Sequence, residues 1–311
     1  MTRTFRLHRH RSLSCALTLL ALSLVGRVGF AQELTPRAYW PAPVGTNVFG
    51  IGYQLSTGDV LPDPSLPVYG VDSTLNGAAL TYQRFFDLFD RTATVQLNLP
   101  YAWGRTEGTV DGEFLTRDID SFADARIRFA INLRGAPAMD PTEFREMLGN
   151  PKTIFGVSLV VQAPTGGYDT DRVLNAGSNR WSAKPALGVI VPLSPGWLLE
   201  GEMGVWVFGD NEEFVGVTRE QAPILSSEFH LIRVMKNGIW ASLDLNFYQG
   251  GQSTVAGVER DDIQRNSRVG LTLAYPIRKR HMIRAGYSAG VVTEVGSDFS
   301  IFSLAYIYAW R

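Results

Sequence analysis

The sequence predicts an all-β chain: a single transmembrane, antiparallel, up-and-down β-barrel of about twelve strands with a short periplasmic helix. Three observations predict it. At the chain end, Phe302, Leu304, Tyr306, Tyr308 and Trp310 alternate with Ser303, Ala305, Ile307 and Ala309. Period two over that length is a strand with two unlike faces, and its aromatic end suits a membrane–water boundary. The chain start reads as an export signal. Between them, apolar–polar alternation recurs in segments of about 9–11 residues, the length that lets a tilted strand cross a bilayer.

Arg3, Arg6, Arg9 and Arg11 precede an apolar run from Leu13 to Val25, followed by Gly29-Phe30-Ala31. A basic n-region, a short h-region and a small-x-small site define a signal peptide over residues 1–31, cut after Ala31. The run is shorter than the ~20 residues of a membrane helix. Cys15, the single cysteine, sits at the wrong end of it for a lipoprotein anchor. The mature chain is therefore expected to hold neither disulfides nor cysteine metal sites. The chain has 29 basic and 30 acidic residues, and the signal removes five arginines and no acid, leaving 24 against 30, a net charge of −6. Such a surface argues against nucleic acid as a partner.

Residues 32–46 are proline-rich and read as an irregular segment at the periplasmic side, before a barrel over 47–311. The strands expected are, in order, Asn47–Gln54, Leu75–Phe85, Thr92–Trp103, Asp124–Leu133, Thr153–Ala163, Trp181–Val191, Trp197–Phe208, Ile224–Met235, Ile239–Gln249, Arg265–Tyr275, Met282–Val292 and Ser300–Trp310. Thr92–Trp103 shows the pattern best: Val95, Leu97, Leu99 and Tyr101 alternate with Thr94, Gln96, Asn98 and Pro100. Asp140-Pro141-Thr142-Glu143 has the N-cap, first-turn proline and capping-box acid of a short helix, placed in a periplasmic connection. Short links (87–91, 192–196, 236–238, 278–281) alternate with long ones (55–73, 104–123, 164–180, 209–223, 250–264), as periplasmic turns and external loops should. Pro185 and Pro276 fit a ladder poorly, because proline cannot donate to it.

One turn can be argued to its register. Polar residues occupy even positions on both sides of Lys236-Asn237-Gly238 (Ser226, Glu228, His230; Ser242, Asp244, Asn246). Facing residues share a side of the sheet, so facing numbers must sum to an even value. A two-residue loop would break that parity. A three-residue loop with left-handed Gly238 sets Met235 opposite Ile239, and His230 opposite Asp244.

The same parity sends a set of polar residues into the interior: Arg126, Arg128, Lys184, Glu200, Glu202, Glu228, His230, Asp244, Arg268 and Arg284, with Trp206, Trp240 and Tyr248. Two roles are open to them. They can pair and brace a wet interior, as enclosed charges must, or they can form a selectivity lining in which cations attract anions and aromatics stack a flat solute. Catalysis has thin support. After the signal, only His230 and His281 remain; His230 points inward with no nucleophile elbow, and Thr165-Gly166-Gly167 lacks the lysine and helix of a phosphate loop. No catalytic residue, metal ligand or cofactor is assigned.

Several stretches carry a family resemblance: Arg37-Ala38-Tyr39-Trp40-Pro41-Ala42-Pro43-Val44-Gly45-Thr46-Asn47, Val95-Gln96-Leu97-Asn98-Leu99-Pro100-Tyr101, Gln162–Tyr168, Asn175–Trp181 and the terminal Tyr306–Arg311. Through them, and over nearly the whole mature chain, the sequence resembles the meta-pathway phenol-degradation family of bacterial outer-membrane proteins, often labelled transporter. The resemblance implies an outer-membrane barrel that takes up aromatic or other hydrophobic compounds, and it carries no defined functional residues. Arg311 departs from the usual terminal aromatic, leaving Trp310 as the signal read by the barrel-assembly machinery. The expected partners are membrane lipid, a small-molecule solute and that machinery. The alternatives are a structural barrel whose external loops bind a partner, and a lumen- or lipid-facing hydrolase.

Overall fold

A computed structural model describes residues 34–58, 72–110, 113–293 and 299–311. The signal peptide, its cleavage site, Cys15 and the proline-rich stretch 61–67 lie outside the described residues. The strands are β1 (Asn47–Gly58), β2 (Asp72–Leu88), β3 (Arg91–Val110), β4 (Glu113–Phe122), β5 (Arg126–Arg134), β6 (Ile154–Gln162), β7 (Ser182–Ser194), β8 (Trp197–Phe208), β9 (Asn211–Phe214), β10 (Val217–Gln221), β11 (Ile224–Val234), β12 (Trp240–Gly250), β13 (Ser253–Val255), β14 (Val258–Glu259), β15 (Gln264–Arg278), β16 (His281–Thr293) and β17 (Phe299–Trp310), with one helix, α1 (Pro141–Gly149).

Twelve strands close into one antiparallel ring. It runs β1-β2-β3-β5-β6-β7-β8-β11-β12-β15-β16-β17, and β17 returns to β1 from Asn47↔Trp310 to Gly58↔Phe299. Closure leaves no free edge, the condition for spanning hydrocarbon. The faces sort as a membrane requires. Phe302, Leu304 and Tyr306 point outward at 43%, 44% and 41% exposure, while Glu202, Glu228 and Asp244 are buried inside. A soluble barrel would reverse that sorting.

Local chemistry sets the turns at one end, called here the turn end. The β11–β12 turn has the register argued above: the N–H of Met235 donates to Ile239 at 2.7 Å, and His230 faces Asp244. Both Asn237 (φ 63°) and Gly238 (φ 78°) are left-handed, where Gly238 alone was expected. In α1, the Asp140 side chain accepts from the N–H groups of Thr142 (2.6 Å) and Glu143 (2.9 Å), and Glu143 reaches back to the Asp140 N–H. Pro185 and Pro276 both stand within strands, Pro276 beside a bulge.

Three expected external loops are corrected. Much of 104–123 continues the wall as β3 and β4, and 209–223 and 250–264 carry β9, β10, β13 and β14, which form a second, four-stranded sheet at the loop end. A strand that has left the bilayer no longer needs an apolar outer face, so its alternation fades while its ladder continues. Arg105 and Asp118 illustrate this, pairing across β3 and β4 at 2.9 Å where lipid-facing residues would stand deeper in the membrane.

Candidate functional site: the plugged lumen

The segment expected to lie ahead of the barrel instead enters it. Leu34–Thr46 runs inside the ring at the turn end, mostly half-buried, and the wall satisfies much of its backbone. Glu200 of β8 accepts the N–H groups of Arg37 (2.5 Å) and Tyr39 (3.3 Å), and Glu228 of β11 accepts from the N–H and hydroxyl of Thr35 at 3.4 and 3.3 Å. Arg128 donates to the Ala38 carbonyl at 3.2 Å, and Asn132 to the Tyr39 carbonyl at 3.0 Å. These donors and acceptors come from β5, β8 and β11, so the plug's position depends on closure of the whole ring.

Tyr39 is the plug's anchor, 2% exposed. Its ring lies against Gly156 of β6 and Gly188 of β7, which face each other across the ladder. A Cβ on either would collide with ring carbons, so only glycine leaves room for the aromatic. The Arg128 guanidinium covers the ring at 4.8 Å, and the Tyr39 hydroxyl meets that of Ser158 at 2.9 Å. Below it, Tyr39 packs with Ile154, Ile190, Ile232, Trp240, Met139 and Met147 in an apolar layer that joins plug, wall and α1.

Above the plug stand the predicted interior charges. Lys184 pairs with Glu202 at 2.7 Å and with Glu228 at 3.5 Å, Arg128 reaches Glu202 at 3.4 Å, and Lys184 lies 5.8 Å from the centre of the Trp206 ring. His230 Nδ1 meets Asp244 at 2.8 Å, while its Nε2 faces Glu228 at 3.7 Å. The other Asp244 oxygen accepts from Thr272 at 2.7 Å. Both nitrogens of His230 thus face carboxylates.

The remaining candidates stand elsewhere. Arg126 bonds Gln162 at 2.8 Å near the loop end. Arg268 donates to Ser288 at 3.0 Å and lies 3.8 Å over the Phe299 ring. Trp240 belongs to the apolar layer and sits 5.4 Å from the Arg37 guanidinium. Tyr248 is half-buried opposite Asn266, and Arg284 lies in register between Ala274 and Ala305, away from the carboxylates.

The loop end is filled by a device that sequence reasoning missed. Asp124 is 5% exposed and accepts from Gly166 N (2.9 Å), Ser178 N (2.9 Å), Ser178 Oγ (2.6 Å) and Gln162 Nε2 (3.1 Å), drawing the loop 164–180 into the mouth. It stands at a break in the wall. β3 pairs with β4 through Tyr101↔Phe122 and with β5 through Asn98↔Arg126, so one extra residue is inserted between them beside Pro100. On the outer surface there, Leu99, Pro100, Phe122, Ala123, Ala125 and Thr165 line a recess of about 250 Å³. A lone aspartate in sequence carried no sign of this role. For the plug there was a sign: Tyr39-Trp40 is too apolar for a solvated tail.

A family model and one solved structure agree with this architecture. Residues 50–306 match the model of the family described as "Putative MetA-pathway of phenol degradation". Among solved structures, an outer membrane channel from Pseudomonas putida F1 is similar over 89% of this chain and 100% of its own, with 20% identity and a TM-score of 0.73. The β domain of the Bordetella autotransporter BrkA covers 86% of this chain and 100% of its own at 12% identity and a TM-score of 0.48. The Pseudomonas putida toluene transporter TodX covers 86% and 90% at 13% identity and a TM-score of 0.45. A comparison with curated proteins finds no match.

Proposed function

The chain belongs to the family described as "Putative MetA-pathway of phenol degradation", and from that premise we propose that it is an outer-membrane channel for small hydrophobic solutes, aromatic ones included. The observation that carries the reading is the plug. The ring encloses a charged interior, and what closes its turn end is a separate segment docked by hydrogen bonds and one aromatic anchor. A barrel serving only as a scaffold could close its interior with its own wall residues, as small barrels do. A docked segment can leave, which makes the lumen a gated conduit. The paired charges above it, Lys184, Arg128 and Glu202, would favour a wet interior, with Trp206 beside Lys184 as the aromatic group nearest a passing solute.

The turn end then faces the periplasm and the loop end the exterior, with strands long enough to cross the membrane and, in β3, to stand beyond it. The test is uptake by liposomes carrying the pure protein, comparing phenols with sugars of similar size. Faster entry of phenols is expected. Equal exclusion of both, by protein shown to be folded, would overturn the proposal and leave a barrel whose loops bind a partner.

A further inference from the structure

The rims of the barrel differ in charge balance: exposed cations outnumber exposed acids at the turn end, where Asp87, Asp90, Asp140, Glu143 and Glu146 also stand, and the balance reverses at the loop end. At the loop end, exposed acids dominate, among them Asp118, Asp120, Asp210, Glu212 and Glu259. At the turn end, Arg278, Lys279 and Arg280 are consecutive and exposed on the β15–β16 turn, and Arg84 is exposed on β2, four strands away. Among the described residues, none of these four cations has an ion-paired acid.

Register places Arg278 and Arg84 at the two ends of one outward belt, and Lys279 and Arg280 follow Arg278 in its turn. Arg278 faces His281, His281 faces Tyr308, and Asn47 lies between Trp310 and Arg84. The belt spans β15, β16, β17, β1 and β2, about 19 Å at the ordinary strand spacing. Its middle is aromatic: the His281 and Tyr308 rings are 5.0 Å apart, Tyr308 stacks on Trp310 at 5.4 Å and 18°, and His281 Nδ1 meets the Tyr306 hydroxyl at 2.5 Å. One step deeper, Tyr275, Ile283 and Tyr306 face one another across three strands and are all exposed to hydrocarbon. The turn's cations thus stand directly beside an aromatic shelf at headgroup depth.

We propose that this belt binds an anionic phospholipid of the inner leaflet. Its phosphodiester would lie over Arg278, Lys279 and Arg280, and an acyl chain along Tyr275, Ile283 and Tyr306. The proposal rests on the orientation given above, with the turn end toward the periplasm, and not on which solute crosses. Charge complementarity selects the occupant. Cations next to a membrane surface attract anionic lipid, while aromatic rings sit at headgroup depth. The acidic loop end offers no such match.

Native mass spectrometry of the full mature chain, titrated with phosphatidylglycerol or phosphatidylcholine, tests it. Retention of phosphatidylglycerol over phosphatidylcholine is expected. In the triple variant Arg278→Gln/Lys279→Gln/Arg280→Gln the affinity should fall about fivefold per cation, roughly a hundredfold in all, while Arg105→Gln at the opposite rim leaves it unchanged. The unaltered protein supplies a second test, because raising salt to about 1 M shortens the screening length to about 3 Å and should erase the preference. Equal retention of both lipids, a preference that survives the triple change in heat-modifiable barrel, or competition by soluble glycerol phosphate as strong as by lipid would each overturn it. Failure of phenol uptake would leave this result intact.

Discussion

Removing the aromatic anchor should open the channel without unfolding the barrel. In Tyr39→Ala the plug loses a side chain that is 2% exposed, its seat on Gly156 and Gly188, the Arg128 contact at 4.8 Å and the Ser158 hydrogen bond. Truncating a buried aromatic costs about 3–5 kcal/mol, of which the hydroxyl bond is about 1 kcal/mol. The wall keeps its own ladder, so the loss falls on docking of the plug. It shifts the docked-to-released ratio by roughly two to three and a half decades. Tyr39→Phe loses only the hydroxyl bond and should shift the ratio about fivefold. Single-channel recording in planar bilayers reads this as open probability, with heat-modifiability on gels confirming a folded barrel. An open probability unchanged by Tyr39→Ala in folded protein would refute the reasoning. So would a phenylalanine variant as open as the alanine one, since that would remove the ring from the explanation.

Gly188→Leu should reproduce the open phenotype with every plug residue intact, because the new side chain occupies the space of the Tyr39 ring; conductance matching the parent would count against the cradle. Lys184→Met leaves Glu202 and Glu228 without their shared cation. The expected loss is about 3–5 kcal/mol, seen as a lower urea midpoint and partly recovered by adding Glu202→Gln. Backbone N–H groups of Glu143 and Thr142 hold the Asp140 carboxyl below its ordinary value. A folded-state pKa below the unfolded one means that the cap stabilises α1 above the unfolded value of about 3.9 and is lost as pH falls below it. Protection of the amides over 142–149, with exchange rates corrected for their intrinsic pH dependence, should therefore hold steady between about pH 5 and 8 and fall near about pH 3. Gly238→Val places a β-branched residue at φ 78°, which should destabilise the β11–β12 hairpin by about 1–2 kcal/mol in the same urea assay.

How much of this was legible follows from which interactions are local. Alternation in Thr92–Trp103 and Phe302–Trp310 displayed the wall, because hydrocarbon on one side and water on the other act on every second residue. The His230–Asp244 pair was legible too, since the parity of a three-residue turn propagates along a ladder without reference to anything distant. Capping of α1 depends on four adjacent residues and could be read in the same way. The strands beyond the bilayer were missed because the force that writes period two into a sequence stops at the headgroups.

The plug lay beyond any local rule. Arg37–Trp40 could be recognised as irregular, but Glu200, Arg128, Asn132, Gly156 and Gly188, which receive it, are about 90 to 160 residues away along the chain. Their convergence exists only once β17 has paired with β1 and the ring has an inside. By itself the sequence determined a membrane-spanning wall and which side chains look inward. Tertiary structure alone decided what fills that interior, because an enclosed segment's partners are set by ring closure and not by neighbours in the chain.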